Sequence, residues 1–232
     1  MVQDLSPYFQ VMGARTEISD LLPNEIERVL EVGCGTGKTL GWIKEQFAGA
    51  ETVGIELHPE AVDVARKIAD RVVVCDIEKD YPDLEAGSFD VILCLDVLEH
   101  LVDPWTALDK VVTFLKPGGR LIASIPNVRN LRVVLPLVFL GRWRYQLVGL
   151  LDRTHLRFFT RRSALELVEG AGLEIEKVLY TGLGRGATHG RAAVFARISA
   201  ILNFVTLGLL KDIFVIQYLI LGIKRIPGQR RP

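Results

Sequence analysis

The chain alternates short apolar runs rich in β-branched residues with longer runs of helical spacing, and this alternation constrains its fold more than any other feature. In the first longer run, Leu40, Ile43 and Phe47 fall on one helical face. Strands that are apolar nearly throughout are typical of a parallel sheet with helices on both faces. We therefore predict a doubly wound α/β fold, with strands over 28–32, 52–55, 72–75, 89–95, 120–126, 173–182 and 214–224. Helices are predicted over 38–47, 58–71, 105–115 and 161–171, the third ended by the turn KPGG.

The balance of charges limits the partners of the protein. Its 232 residues include 28 basic and 28 acidic side chains, so the formal net charge is zero and gives no overall electrostatic case for nucleic acid. Cys34, Cys75 and Cys94 lie in or beside apolar runs, without framework or metal-ligand spacing. We therefore expect reduced thiols, no metal site and a cytoplasmic protein. The length suits one domain, which we assign to residues 1–232.

Two long apolar segments, 131–151 and 198–223, raise the question of a membrane. The first is interrupted by two arginines and the second by an adjacent lysine and aspartate, so the remaining pieces are too short to span a bilayer. One interpretation makes them buried core and a lid over the substrate. The other rests residues 131–145 on a membrane surface or on a lipid-like substrate, because aromatic residues there stand beside arginines.

The loop after the first predicted strand lies in the stretch VLEVGCGTGKT and decides which small molecule the chain binds. Its end, Gly37-Lys38-Thr39, matches the end of the phosphate-loop pattern of nucleoside triphosphatases. That pattern requires a glycine where Val32 stands, and counting from Gly33 leaves the loop one residue too short. A nest of backbone N–H groups around phosphates depends on that length, so the pattern does not favour a triphosphate.

A dinucleotide is the second candidate for the same loop. Gly33 and Gly35 fit the pattern G-x-G-x-x-G, but Lys38 occupies the position of the third glycine. A pyrophosphate also binds best where no negative charge precedes the helix, and Glu31 stands just before the loop. The sequence therefore does not favour a dinucleotide.

The stretch EVGCGTG, from Glu31 to Gly37, resembles the first motif of the class I S-adenosylmethionine-dependent methyltransferases. This cofactor has no phosphate, and its sulfonium and ammonium groups are positive, so an acidic strand end suits it. The stretches VGIELHP, VVVCDIE, FDVILCLDVLEHL and LKPGGRLIASIPN resemble further motifs of the family in the same order. The resemblance is strong over 29–127, and LLDRTHLRFFT resembles a segment of the branch similar to ubiquinone-biosynthesis enzymes.

The resemblance implies a fold and a set of residues for S-adenosylmethionine. It implies a seven-stranded Rossmann-like sheet whose last strand is antiparallel and inserted between strands five and six. Residues 1–27 become a helical cover, 127–159 a helical lid, and 190–210 a helix that mediates a homodimer or approaches a lipid-linked acceptor. The implied cofactor-binding residues are Tyr8, Arg15, Glu31, Gly33, Cys34, Gly35, Gly37, Glu56, Leu57, Asp76, Ile77, Leu95 and Asp96.

Three residues are candidates for acid–base chemistry. An alcohol that accepts a methyl group must lose its proton, and a histidine is suited to take it at neutral pH. His100 resembles a family position that lines the methionine end, although it could equally be a cap or core histidine. For His155, the alternative is that Asp152, Arg153 and His155 only tie the lid to the sheet by polar contacts. Our hypothesis is that His155, with Glu99 or His100, faces the acceptor.

These interpretations converge on an S-adenosylmethionine-dependent methyltransferase. We expect O-methylation of a small molecule, with a saccharide or another cell-envelope intermediate as the acceptor. Two alternatives remain open at this point: a non-catalytic protein that binds the cofactor as a regulatory or scaffold subunit, and a phosphate-loop nucleotidase.

Overall fold

The computed structural model describes residues 13–182, 212–226 and 228. Within them, seven strands form one sheet: β1 (Arg28–Val32), β2 (Glu51–Glu56), β3 (Arg71–Val74), β4 (Phe89–Leu95), β5 (Leu115–Pro126), β6 (Leu173–Gly182) and β7 (Val215–Lys224). The α-helices are α1 (Lys38–Gln46), α2 (Pro59–Ala65), α3 (Pro104–Val112), α4 (Leu131–Leu140) and α5 (Arg161–Gly170). Short 3-10 helices cover Thr16–Leu21 and Leu98–His100.

The strand order β3-β2-β1-β4-β5-β7-β6 confirms the predicted fold class. Strands β1 to β5 pair in parallel, whereas β7 is antiparallel to both β5 and β6. The order reverses between β1 and β4, and in sheets of this kind a crevice opens at the carboxyl ends of the strands at such a switch point. The candidate motifs of the sequence follow these strand ends.

Two apolar clusters form the core, one on each face of the sheet. Neighbouring residues of β1 contribute to different clusters: Leu30 packs in the cluster that contains α3 and α5, and Val29 in the cluster that contains α1. The two residues join different clusters because successive side chains of a strand point to opposite faces of the sheet. Both are fully buried. This burial on both faces explains the nearly continuous apolar runs.

Most predicted elements are found within two residues of their expected bounds. Three predicted bounds were wrong: the end of the helix over 58–71, the end of the helix over 105–115 and the start of the strand over 120–126. The predicted helix over 58–71 ends at Ala65, where turns lead into β3. The turn KPGG does not end α3, which stops at Val112, because β5 already begins at Leu115. Because β5 begins early, its pairing with β4 shifts in register between Phe89 and Val91. Gly118, in this part of β5, adopts φ 79°.

The predicted covering segments are described only in part. Of the N-terminal cover, the 3-10 helix Thr16–Leu21 buries Ile18 and Leu21 against the sheet. The insertion after β5 contains α4, as the prediction of a helical insertion requires. Tyr8 and the segment 190–210 lie outside the described residues. Among the helices of the described part, none is both long enough and apolar enough to cross a bilayer.

Candidate active site

The loop between β1 and α1 is a tight bend that requires glycine. Gly33, Gly35 and Gly37 have φ values of 69°, 52° and 76°, in the left-handed region that side chains disfavour. A Cβ atom at Gly33 would lie 2.9 Å from a methyl group of Val97, and one at Gly37 would lie 3.2 Å from the Cα atom of Ala65. Close packing of the bend against Val97 and Ala65 therefore adds to the requirement for glycine at these two positions.

Glu56, at the end of β2, anchors this loop from the neighbouring strand. Its Oε2 atom accepts a hydrogen bond from the backbone N–H of Gly35 at 2.8 Å. Its Oε1 atom accepts from the backbone N–H groups of Leu57 at 2.8 Å and His58 at 2.9 Å. A carboxylate offers about four lone-pair sites, so Glu56 keeps capacity for a ribose hydroxyl.

Glu31 places a buried carboxyl group beneath the same loop. It is 4% exposed, and its Oε2 atom has no hydrogen-bond partner. Burial raises its pKa to about 8, against the opposing effects of a hydrogen bond with Thr39 and the charge of Arg15. An unpartnered carboxyl oxygen at this strand end suits a cationic ligand and disfavours a phosphate, so the residues present fit S-adenosylmethionine.

Asp96 follows β4 and is held from three directions. Its φ of 54° is the one positive value at a non-glycine among the described residues. Arg15 forms an ion pair with Oδ2, while Oδ1 accepts hydrogen bonds from Ser124 at 3.0 Å and from the Gln217 amide at 2.6 Å. A cavity of about 480 Å³ opens here, and Arg15, Asp96, Thr181 and Gln217 line it.

Leu57 and Asp76, which the family resemblance would place beside the adenine of the cofactor, are exposed and half-buried respectively. Leu57 is 49% exposed beside the loop anchor Glu56. Asp76 accepts hydrogen bonds from the backbone N–H of Glu78 at 3.1 Å and from Lys79 at 2.6 Å. The Lys79 contact lowers the pKa of Asp76, so this group stays ionised.

Three predicted cofactor residues direct their side chains into the interior. Ile77 and Leu95 are buried in the two core clusters. Cys34 packs against β2, where a Cβ atom at Gly54 would lie 2.5 Å from its sulfur. At Cys34 and Leu95 the contact available to a cofactor is therefore the backbone.

Glu99, His100 and His155 form a compact group beside this crevice. One side-chain oxygen or nitrogen of each lies within 4.8 Å of the other two. The Nε2 atom of His155 is 4.0 Å from Oε1 of Glu99. The rings of His100 and His155 pack edge to face, with their centroids 4.7 Å apart. Glu99 is 1% exposed, and neither carboxyl oxygen has a hydrogen-bond partner.

Burial controls the protonation of this group. It raises the pKa of Glu99 to about 8 and lowers the pKa of His155 to about 4, with His100 adding to the latter effect. Burial also lowers the pKa of His100. Two neutral imidazoles at pH 7 can each accept a proton. Because a carboxylate and two imidazoles are also ligands that a divalent ion accepts, the absence of a metal site stays a prediction.

The backbone brings these residues together from distant parts of the chain. The carbonyl oxygen of Glu99 accepts hydrogen bonds from Leu156 at 2.8 Å and from Arg157 at 3.0 Å. At the base of the insertion, the N–H of Val128 donates to the carbonyl oxygen of Phe159 at 2.9 Å. The segment that carries His155 is therefore fixed against the turn that carries Glu99 and His100. The hypothesis that these three residues meet agrees with this geometry, while their catalytic role stays a proposal.

The sequence analysis missed the partners of Asp96 and of His100. Gln217 was recognisable as the lone polar residue in the apolar run FVIQYLILGI. Ser124 and Thr154 gave no comparable signal, since hydroxyl side chains are common in strands and loops.

A family model described as a methyltransferase domain matches residues 9–178 of the chain. The protein belongs to this methyltransferase family. The predicted resemblance and the cofactor S-adenosylmethionine are thereby confirmed, and the alternatives of a regulatory cofactor-binding protein and a phosphate-loop nucleotidase are not favoured.

Curated relatives of this methyltransferase include two ubiquinone biosynthesis O-methyltransferases. The one from Aeromonas salmonicida is 30% identical over 157 residues, a match that covers 63% of each chain. The one from Xylella fastidiosa is 32% identical over 174 residues, covering 68% of this chain and 69% of that protein. The chain thus spans about two thirds of the length of these relatives.

Solved structures share the fold of this methyltransferase. A structure described as a SAM-dependent methyltransferase from Archaeoglobus fulgidus superposes with a TM-score of 0.65 and 19% identity, covering 90% of this chain and 91% of that one. At this identity the likeness supports the fold alone.

Proposed function

We propose that the protein transfers a methyl group from S-adenosylmethionine to a hydroxyl oxygen of a small molecule. The observation that carries this proposal is the cluster of Glu99, His100 and His155. Glu99 and His100 stand three and four residues beyond Asp96 in the turn that follows β4, and the end of the insertion brings His155 against them. A candidate cofactor-binding strand end thus lies beside two histidines that are neutral at pH 7. An oxygen nucleophile needs both.

Separate residues of the chain would bind the cofactor and accept the proton. When bound, the cofactor supplies a methyl group on a positive sulfur, which leaves as the neutral thioether S-adenosylhomocysteine. Glu56 would orient the ribose, while Glu31 and Asp96 would attract the ammonium group. One of the two neutral histidines would take the proton of the acceptor hydroxyl as its oxygen bonds to the methyl carbon, and the other would hold the first in place through the edge-to-face contact of their rings. Glu99 is 1% exposed, so water is largely excluded from its side of this group.

We propose a saccharide or another cell-envelope intermediate as the acceptor, joined to a lipid-like part. Support comes from the insertion surface, which we define as the exposed apolar side chains of 135–148. Phe139 is 74% exposed and Leu147 is 71% exposed, and Arg142 and Arg144 are exposed beside them. Apolar side chains flanked by arginines are typical of contact with anionic lipid headgroups.

A methyl-transfer assay tests the proposed reaction. The protein would be incubated with methyl-labelled S-adenosylmethionine and with free saccharides, lipid-linked saccharides and phenols, and products would be analysed by mass spectrometry. We expect an O-methylated product from one class, and its loss in the variant His155→Gln, which should still bind S-adenosylhomocysteine. Turnover by His155→Gln at the wild-type rate would contradict the role of His155. Transfer to none of the classes would contradict the proposed reaction.

A sedimentation assay with vesicles tests the proposed lipid contact. We expect binding to vesicles with anionic lipids, weaker binding to zwitterionic ones, and loss of binding in the double variant Phe139→Ser, Leu147→Ser. The matched control is Tyr81→Ser, because Tyr81 is also exposed but packs near α3 rather than on the insertion. Equal binding by the double variant and the wild type would contradict the contact.

A further inference from the structure

The side chain of His100 is held by Thr154, which belongs to the end of the insertion 54 residues away. The Nδ1 atom of His100 lies 3.2 Å from the backbone carbonyl oxygen of Thr154 and 3.0 Å from its hydroxyl oxygen. Both contacts use the same ring nitrogen. The position of the histidine proton depends on whether each of these oxygens donates or accepts a hydrogen bond.

The backbone carbonyl oxygen of Thr154 can only accept a hydrogen bond. The hydroxyl group of Thr154 has one proton, and it donates that proton to Oδ1 of Asp152 at 2.7 Å. The backbone N–H of Thr154 donates to the same oxygen at 2.8 Å, so Asp152 fixes the residue twice. Toward His100 the hydroxyl oxygen is therefore an acceptor as well.

Two acceptors facing one ring nitrogen require that nitrogen to carry the proton. In a neutral imidazole the other nitrogen, Nε2, is then unprotonated and holds a free lone pair. Among the described residues, no hydrogen bond engages Nε2 of His100. Asp152 is buried, so its interaction with the ring through Thr154 is only weakly screened.

We propose that Nε2 of His100 is the atom that takes the acceptor proton, and that Thr154, oriented by Asp152, is the positioning residue that sets this tautomer. The inference rests on the proposed methyl transfer and names its base. The proton passes from the acceptor hydroxyl to Nε2 while the oxygen electron pair forms the bond to the methyl carbon. The electrons of the broken carbon–sulfur bond stay on sulfur. The resulting imidazolium keeps its Nδ1–H toward Thr154, next to the Asp152 carboxylate.

The tautomer can be measured without any acceptor. Long-range ¹H–¹⁵N correlation spectra of protein labelled at histidine distinguish the two neutral tautomers, and the variant His100→Gln assigns the signal. We expect His100 to be protonated at Nδ1 in the wild type. We also expect Thr154→Val to shift part of the population to the Nε2–H form, and Thr154→Ser to restore the wild-type spectrum. Binding of S-adenosylhomocysteine to each variant would verify its fold.

A wild-type spectrum with the proton on Nε2 would overturn the inference, and it would do so even if Thr154→Val failed to fold. An unchanged tautomer ratio in a folded Thr154→Val variant would overturn the role of Thr154. With an acceptor from the methyl-transfer assay, Thr154→Val should lower kcat about tenfold or more at an unchanged KM for the cofactor. If the spectra agree and no acceptor is methylated, the proposed reaction fails instead of the tautomer assignment.

Discussion

The amide of Gln217 on β7 donates a hydrogen bond of 2.6 Å to the carboxylate of Asp96 at the end of β4, across the strand β5 that lies between them. Asp96 has a left-handed backbone, which costs free energy for any residue with a side chain. Gln217 therefore helps to hold Asp96 in an orientation that the backbone alone does not favour. If Asp96 binds the ammonium group of the cofactor, Gln217 affects that binding through its hydrogen bond to Asp96.

We expect the variant Gln217→Leu to lose affinity for S-adenosylhomocysteine but to bind 5′-methylthioadenosine as the wild type does. The second ligand keeps the nucleoside and lacks the amino-acid end, so it does not use Asp96. Loss of one hydrogen bond to a charged group predicts a roughly tenfold or greater decrease in affinity. Calorimetric titration of both ligands measures the difference.

The matched control is Gln46→Leu, since Gln46 is exposed at the end of α1. That change should leave the binding of both ligands unaltered. Equal losses for both ligands in Gln217→Leu would indicate a general disturbance of the site and would refute the specific role of Gln217.

Cofactor binding should release a proton from Glu31. The pKa of this carboxyl is raised to about 8 in the free protein, mainly by burial, so the group is mostly protonated at neutral pH. A bound ammonium group stabilises the ionised form and lowers that pKa. Affinity for S-adenosylhomocysteine should therefore increase as the pH rises toward about 8 and then level off.

Titrations in buffers of different ionisation enthalpy measure this proton directly. We expect a net release near pH 7 in the wild type and none in the variant Glu31→Gln, which should also bind more weakly. An identical release by both proteins would assign the proton to another group.

The variant Gly37→Ala tests the tight loop. At φ 76° a side chain costs about 1–2 kcal/mol, and the new Cβ atom would also press on the backbone of Ala65. The control is Gly49→Ala, which has φ 92° but no neighbour within 4 Å of the added atom. We expect Gly37→Ala to lower the free energy of unfolding more than Gly49→Ala does, and to weaken cofactor binding. Chemical denaturation of both variants decides this, and equal losses would count against the close packing.

Glu99 should make the fold less stable at alkaline pH. Its pKa is raised from 4.5 to about 8 by burial, so the folded state binds a proton that the unfolded state gives up. The stabilising contribution is complete below pH 4.5 and is lost as the pH rises through 8. Glu99→Gln, which is neutral at every pH, should lose less unfolding free energy than the wild type between about pH 5 and about pH 9. Chemical denaturation at several pH values measures this difference. Parallel curves of unfolding free energy against pH for the two proteins would contradict the buried, protonated state of Glu99.

The sheet was largely predictable from the sequence because its strands are buried on both faces. The bounds of β4 were predicted correctly, since its apolar run is bordered by a turn and by Asp96. The end of α2 was missed because the residues after Ala65 keep helical spacing while the chain already turns toward β3.

The loop of the site was predictable from local residues, whereas its long-range contacts were not. Glycines and acidic strand ends leave a local signature. The contacts of Gln217 with Asp96 and of Thr154 with His100 join residues 121 and 54 positions apart. They depend on the placement of β7 and of the insertion, and single-sequence patterns carry no information on such pairings.

Calorimetric titration of the full chain with S-adenosylhomocysteine, and separately with ATP and with NAD, tests the central claim most directly. The account predicts saturable binding of the thioether nucleoside, weakened by Glu31→Gln, and no binding of either phosphate-containing nucleotide. Binding of ATP or NAD without binding of S-adenosylhomocysteine would contradict it.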